Sequence, residues 1–201
     1  VLKASGYFDV VSIAGVDTNV PKPMLIMGGG YDSCEDADPN TCTSTDKGNR
    51  IYVLDADTGS VLRTFNTDRG VVGDVFVVTN RTTGLAQWAY AADLGGNIYR
   101  ISGVNANTAL ASTAPGSWTI TKIAALGCNN TATCTANRKF MFAPDVVVEP
   151  APNSGTHILL IGSGDREKPL RDYTSAYGVS NYFFMLKDVP TDSTWLATNM
   201  G

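Results

Sequence analysis

The densest group of oxygen donors in the sequence is Asp32-Ser-Cys-Glu-Asp-Ala-Asp-Pro-Asn-Thr-Cys42, where Asp36, Asp38 and Asn40 occupy alternate positions. Alternation of this kind lets one loop aim successive oxygens at one centre, the chemistry of a hard cation such as Ca2+. Asp32 and Asp46 stand near enough in sequence to complete such a site. The EF-hand pattern itself fails, because the required Gly and closing Glu are missing. A solvated acidic loop tied by Cys34 and Cys42 is the plainer reading of the same residues. Ca2+ is the one candidate cofactor, and none is certain.

The other reactive side chains are sparse. Four cysteines form two close pairs, Cys34 with Cys42 and Cys128 with Cys134, each in a polar loop. Two local staples are the natural reading, although four cysteines formally allow three connectivities. Neither pair has C-x-x-C spacing and the chain has one His, so zinc or a redox dithiol is the weaker reading. Loop disulfides imply an oxidising compartment: periplasm, cell surface or outside. His157 reads as a strand-entry histidine, since general base work needs a neighbouring nucleophile or acid and none is in view. Asp165-Arg-Glu-Lys168 reads as local ion pairs on an exposed loop, each worth little in water. Its alternative is an anion site of Arg166, Lys168 and Arg171. Tyr173 and Tyr177 read as surface aromatics or as an adaptable contact surface. No catalytic residue is assigned.

The elements that must position these residues come in copies. Trp88 to Ile101, WAYAADLGGNIYRI, holds two strand signals around a tight Asp-Leu-Gly-Gly-Asn turn. Leu25-Ile-Met-Gly-Gly-Gly-Tyr-Asp32 followed by Gly48-Asn-Arg-Ile-Tyr-Val-Leu-Asp55 has the same order of parts with a longer insert. Ile158-Leu-Leu-Ile-Gly-Ser-Gly-Asp165 followed by Asn181-Tyr-Phe-Phe-Met-Leu-Lys-Asp188 has it again. An Asp-Val strand start precedes each copy, at Asp9, Asp74 and Asp145. Self-similarity at a near-constant period marks an array of supersecondary units.

The expected fold is therefore all-β, a β-propeller; the strand, Asp55-Ala-Asp-Thr-Gly59, strand element resembles the repeat of propellers of quinoprotein type. The 201 residues form one partial propeller domain with repeats over 6–66, 71–124 and 140–189. A closed propeller has about four to eight blades, so about three blades would belong to a larger, for instance seven-bladed, array. The chain reads as a fragment, opening at Val1 without an initiator Met or a signal peptide.

Within the copies, Met24 to Met27 reads as a strand buried on both faces, after a turn at Asp17-Thr-Asn-Val-Pro21. Gly28-Gly-Gly30 suits close backbone approach at a crowded inner edge. A phosphate cradle is the poorer reading there, because no G-x-x-x-x-G-K-[ST] and no helix pattern follow. Asp55-Ala-Asp-Thr-Gly59 reads as a hairpin turn, and Asp93 as the cap of the Gly95-Gly96 turn. No helical periodicity appears. Net charge is −4 with scattered Lys and Arg, which argues against nucleic acid or an anionic membrane as main partner. No run approaches the roughly 18 apolar residues of a spanning helix.

With Gly28-Gly-Gly-Tyr-Asp32, Gly48-Asn-Arg-Ile-Tyr-Val-Leu-Asp-Ala-Asp-Thr-Gly59, Tyr90-Ala-Ala-Asp-Leu-Gly-Gly-Asn-Ile-Tyr-Arg100 and Ile161-Gly-Ser-Gly-Asp-Arg-Glu167 in one order, the chain resembles the C-terminal propeller of the PilC/PilY family. These are type IV pilus tip-associated adhesins and assembly factors of Gram-negative bacteria. The resemblance implies a secreted protein that promotes pilus extension by opposing retraction and contributes to host-cell or surface attachment. Its implied partners are pilus subunits, both pilin and minor pilins, and a host or abiotic surface. Its implied place is the pilus tip or outer membrane, reached through the periplasm.

A calcium loop often precedes the family's Y-A-x-D-L-x-G motif. Here that place is Thr79-Asn-Arg-Thr-Thr-Gly-Leu-Ala-Gln87, where Thr79, Arg81, Thr83 and Gln87 stand at ligand positions. Ca2+ takes about six to eight oxygens, several of them carboxylates. Thr hydroxyls and one Gln supply no such charge and Arg81 opposes it, so a plain hairpin turn is expected. The overall expectation is a binding protein and not an enzyme, acting through propeller loops. The alternatives are a quinoprotein-like dehydrogenase propeller and a non-adhesive pilus assembly scaffold.

Overall fold

A computed structural model describes residues 1–36, 41–43, 47–128, 137–150, 155–166 and 178–199. Among them lie twelve strands: β1 (Phe8–Ile13), β2 (Val16–Pro21), β3 (Met24–Gly28), β4 (Arg50–Asp55), β5 (Val61–Asn66), β6 (Phe76–Thr79), β7 (Ala86–Ala92), β8 (Asn97–Ser102), β9 (Thr119–Ala125), β10 (Asp145–Val148), β11 (His157–Gly162) and β12 (Phe183–Asp188). Every pairing is antiparallel. They form four small sheets in the orders β1-β2, β3-β4-β5, β6-β7-β8-β9 and β10-β11-β12.

The middle sheet is the filling of a sandwich. All six residues of β8 and all but one of β7 are buried, so these strands have covered neighbours on both faces, as their unbroken apolar reading requires. Ala89, Ala91 and Ile101 pack with Met24, Ile51, Val53 and Phe65 of the β3-β4-β5 sheet. Trp88, Tyr90, Ala92 and Ile98 pack with Phe140, Leu159 and Ile161 on the side of the β10-β11-β12 sheet. Small alanines on one face and rings on the other set the two spacings.

Backbone hydrogen bonds stitch the sheets at one edge. The Gly30 N–H donates to the Val71 carbonyl at 2.9 Å, and the Leu94 N–H to the Gly70 carbonyl at 2.9 Å. In the next joint, the Phe140 N–H donates to the Asp93 carbonyl at 3.3 Å and the Gly164 N–H to the Lys139 carbonyl at 3.0 Å. Each inter-sheet connection thus runs between the turns of the two sheets it joins. That contact requires glycine: a Cβ on Gly28 would stand 2.3 Å from the Val71 oxygen, and Gly48 has φ +90°.

Three local expectations are corrected. Asp17 to Pro21 is not a turn but most of β2, and the reversal is at Ala14-Gly15, both with positive φ. The Asp9 strand therefore starts a separate hairpin and does not open the β3-β4-β5 sheet. Its place beside β3 is taken by Leu2, which exchanges two 2.8 Å backbone bonds with Met24. Nor is β3 buried on both faces, since Leu25 and Met27 are 38% and 49% exposed; among the described residues no sheet stacks on that side. A short helix α1 (Trp195–Asn199) also exists, too brief for periodicity to reveal; the Asp192 carboxylate accepts the Thr194 N–H at 2.8 Å just before it.

Candidate functional site

The β6–β7 hairpin faces the start of β11 across a cleft of about 630 Å3. Its floor is Val78, Trp88 and Val148, and its polar rim is Thr79, Asn80, Arg81 and Gln87 on one side and Glu149, His157 and Thr191 on the other. The hairpin owes its shape to Asn80, whose Oδ1 accepts the N–H groups of Thr82 at 2.9 Å and Thr83 at 3.0 Å, and to Gly84 at φ +70°. Such an Asx turn fixes where Arg81 and Gln87 stand.

Behind the rim lies a buried polar joint between the middle and β10-β11-β12 sheets. Tyr90 Oη lies 2.7 Å from both His157 Nδ1 and Asp188 Oδ2. Arg100 Nη1 donates to both Asp188 oxygens, at 2.6 and 2.7 Å, and Nη2 to the Ala106 carbonyl at 2.9 Å. All four side chains are buried. The carboxylate paired with Arg100 accepts the single Tyr90 hydroxyl proton, so the hydrogen-bond pattern assigns the other proton to His157 Nδ1, which donates to Tyr90 Oη. Burial, the main cause, lowers His157 from 6.5 to about 4 despite Asp188 nearby. The ring is therefore neutral at pH 7 and its Nε2 is an acceptor, with no hydrogen-bond partner among the described residues. Burial, then Asp188, raises the Tyr90 hydroxyl well above its usual range.

The other joint is centred on Asp93, which is fully buried. Its Oδ1 accepts the Gly95 N–H at 2.9 Å and the Asn97 N–H at 3.0 Å, the cap expected of it. Its Oδ2 accepts the Arg69 N–H at 3.1 Å from the incoming connection and the Tyr99 hydroxyl at 2.9 Å. One carboxylate thus closes a turn and clasps the neighbouring sheet's connection.

The residues singled out in the acidic loop are only partly brought together. Asp32 spends Oδ1 on the Cys34 N–H at 3.0 Å and Oδ2 on the Lys47 N–H at 2.9 Å, closing the neck of the insertion. Asp36 accepts the Tyr31 hydroxyl at 2.8 Å. Asp38, Asn40 and Asp46 lie outside the described residues, and among those described no metal-holding cluster of His, Cys, Asp and Glu occurs. Cys34 and Cys42 are bonded to each other; Cys128 is disulfide-bonded, and Cys134 lies outside the described residues. At the other loop, Thr79, Arg81 and Gln87 line the cleft while Thr83 Oγ1 accepts the Leu85 N–H at 3.3 Å. With no carboxylate among them and a guanidinium present, these four do not fit Ca2+.

Two further readings gain detail. Asp165 pairs with Lys139 at 3.0 Å in a nearly buried bridge, a partner from outside its own loop, and Arg166 lies 4.8 Å over the Phe142 ring. Glu167, Lys168, Arg171, Tyr173 and Tyr177 lie outside the described residues. His157 does begin a strand, but as part of a joint that sequence reasoning missed. Its partners Tyr90 and Asp188 are far away in sequence, and the only local signal was an isolated His next to an apolar run.

No family model and no curated protein matches the chain. Among solved structures it is similar to the C-terminal domain of PilY1 from Pseudomonas aeruginosa, with a TM-score of 0.54 and 18% identity over 84% of this chain. The match shows a PilY1-like fold. The helix-poor arrangement of four antiparallel sheets fits the expected β-propeller. The chain spans 35% of the length of that solved domain.

Proposed function

We propose that this chain is part of a pilus-associated binding protein: a propeller segment of about three blades, of quinoprotein type, that promotes type IV pilus extension and surface or host-cell attachment. The observation that carries the reading is the PilY1-like fold, joined to the order of motifs in the sequence. A disulfide-tied loop is compatible with life outside the cytoplasm, and no helix among the described residues is long and apolar enough to cross a membrane. The proposed partners are pilin or minor pilins and the surface itself. The proposed mode is recognition without bond chemistry, since Tyr90, Arg100 and Asp188 are held to one another between the sheets.

The test is deletion of the gene in its own host, with surface pili and adherent cells counted. Fewer pili, restored when retraction is also disabled, are expected. Unchanged pili and unchanged attachment would overturn the reading. A visible absorption band in the purified protein, the mark of a bound quinone, would turn it towards an oxidoreductase.

A further inference from the structure

The geometry points to the cleft between the middle and β10-β11-β12 sheets as a binding site for a neutral, polyhydroxylated ligand, such as a sugar unit of a glycan. In the two inter-sheet joints the carboxylates of Asp93 and Asp188 are spent on neighbouring side chains and N–H groups. The polar side chains of the cleft are not. The Gln87 amide, the Arg81 guanidinium, and the side chains of Glu149 and Thr191 line it without a side-chain hydrogen bond among the described residues, and His157 brings Nε2 as a further acceptor.

The chemistry of that set selects the ligand class. An anion would be drawn to Arg81 and opposed by Glu149; a metal cation would meet the reverse. No ion pair joins the two. Sugar hydroxyls donate and accept at once, so one ring can answer an amide, a carboxylate, a guanidinium and a neutral imidazole together. Val78, Trp88 and Val148 in the lining supply apolar surface for the C–H face of such a ring. A cleft of about 630 Å3 falls within the size range of small-molecule sites. The rim is preorganised, because Asn80 fixes the hairpin and Tyr90 fixes the imidazole.

This inference does not need the pilus reading, and the two fail separately: pili and adhesion are counted in cells, whereas this site is tested on purified protein. Saturation-transfer NMR would use glucose, galactose, mannose and their disaccharides as probes, with glucuronate, glucosamine and Ca2+ as charged comparisons. At least one neutral sugar should bind, and Gln87→Ala and Glu149→Ala should each weaken it by about tenfold while circular dichroism and Tm stay as in the parent. A distant surface change, Lys47→Ala, should leave binding unaltered. Silence from every neutral sugar, preference for a charged probe, or binding that survives both substitutions would overturn the assignment.

Discussion

His157 and Asp93 show how much a single buried polar group can decide. An unfolded His takes a proton near pH 6.5, whereas the folded His157 resists until about pH 4. Between those values the unfolded chain holds more protons, so stability must fall as pH falls through the window. The loss approaches about 3 kcal/mol by pH 4. Asp55, held below its ordinary 3.8 first by the Tyr7 hydroxyl and then by the Thr58 N–H, is lost only at lower pH, whereas Asp93, raised by burial, takes up its proton earlier in the folded state and opposes the His157 slope, so the slope is read against a variant that lacks His157. Urea midpoints at pH 7, 5.5 and 4 should drop steeply for the native protein and less for His157→Gln; parallel slopes would refute the assignment. At Asp93 the charge matters less than the acceptors. Asp93→Ala orphans the buried N–H groups of Arg69, Gly95 and Asn97, and should cost about 3 kcal/mol or more. Asp93→Asn, which keeps one acceptor oxygen, should cost less in the same denaturation.

At the scale of elements, strands whose neighbours lie close in sequence were legible and elements whose partners come from afar were not. The β7–β8 hairpin with its Leu94-Gly95-Gly96 turn, and the β4–β5 hairpin capped by Asp55 on Asp57 and Thr58 at 2.9 and 2.8 Å, could be read from turn chemistry alone. The β1–β2 hairpin misled because Asp9-Val mimics the start of β10, while the true partner of Met24 is Leu2, too short a stretch to carry a pattern. The cleft was illegible for a plainer reason: its two walls are separated by the whole middle sheet and its connection. The 33–49 insertion is anchored to the fold by contacts other than its disulfide, since buried Glu35 pairs with Arg69 at 2.7 Å. Its neck is held by Asp32 and by Cys34–Cys42, while the β3–β4 pairing runs from Gly28↔Ile51 to Met24↔Asp55 without it. Reduction should therefore speed amide exchange within residues 33–49 and leave β3, β4 and β7 protected; exchange spreading through the sheets would show that the staple supports the fold and not just the loop.

For the molecule as a whole, the asymmetry of burial says how the sheets hold together. Stability comes from stacking faces, since the sheets have only two to four strands each and an isolated hairpin is marginal in water. The inward face of β11 places Leu159 and Ile161, 0% and 3% exposed, against the middle sheet, whereas Phe183 and Met185 on β12 are 72% and 73% exposed on the far side. These two sets read alike in sequence, both being large and apolar, yet they do unequal work in the structure described. Ile161→Ala removes buried methyl groups and leaves a void at the joint, which should cost about 2–5 kcal/mol. Phe183→Ser removes a ring that is mostly in water and should change stability by about 0.5 kcal/mol or less. Urea titration of the two variants compares them directly. If Phe183→Ser proved as damaging as Ile161→Ala, the outer face of β12 would have to be covered in solution, and stacking would then continue beyond the β10-β11-β12 sheet as it does on both sides of the middle one.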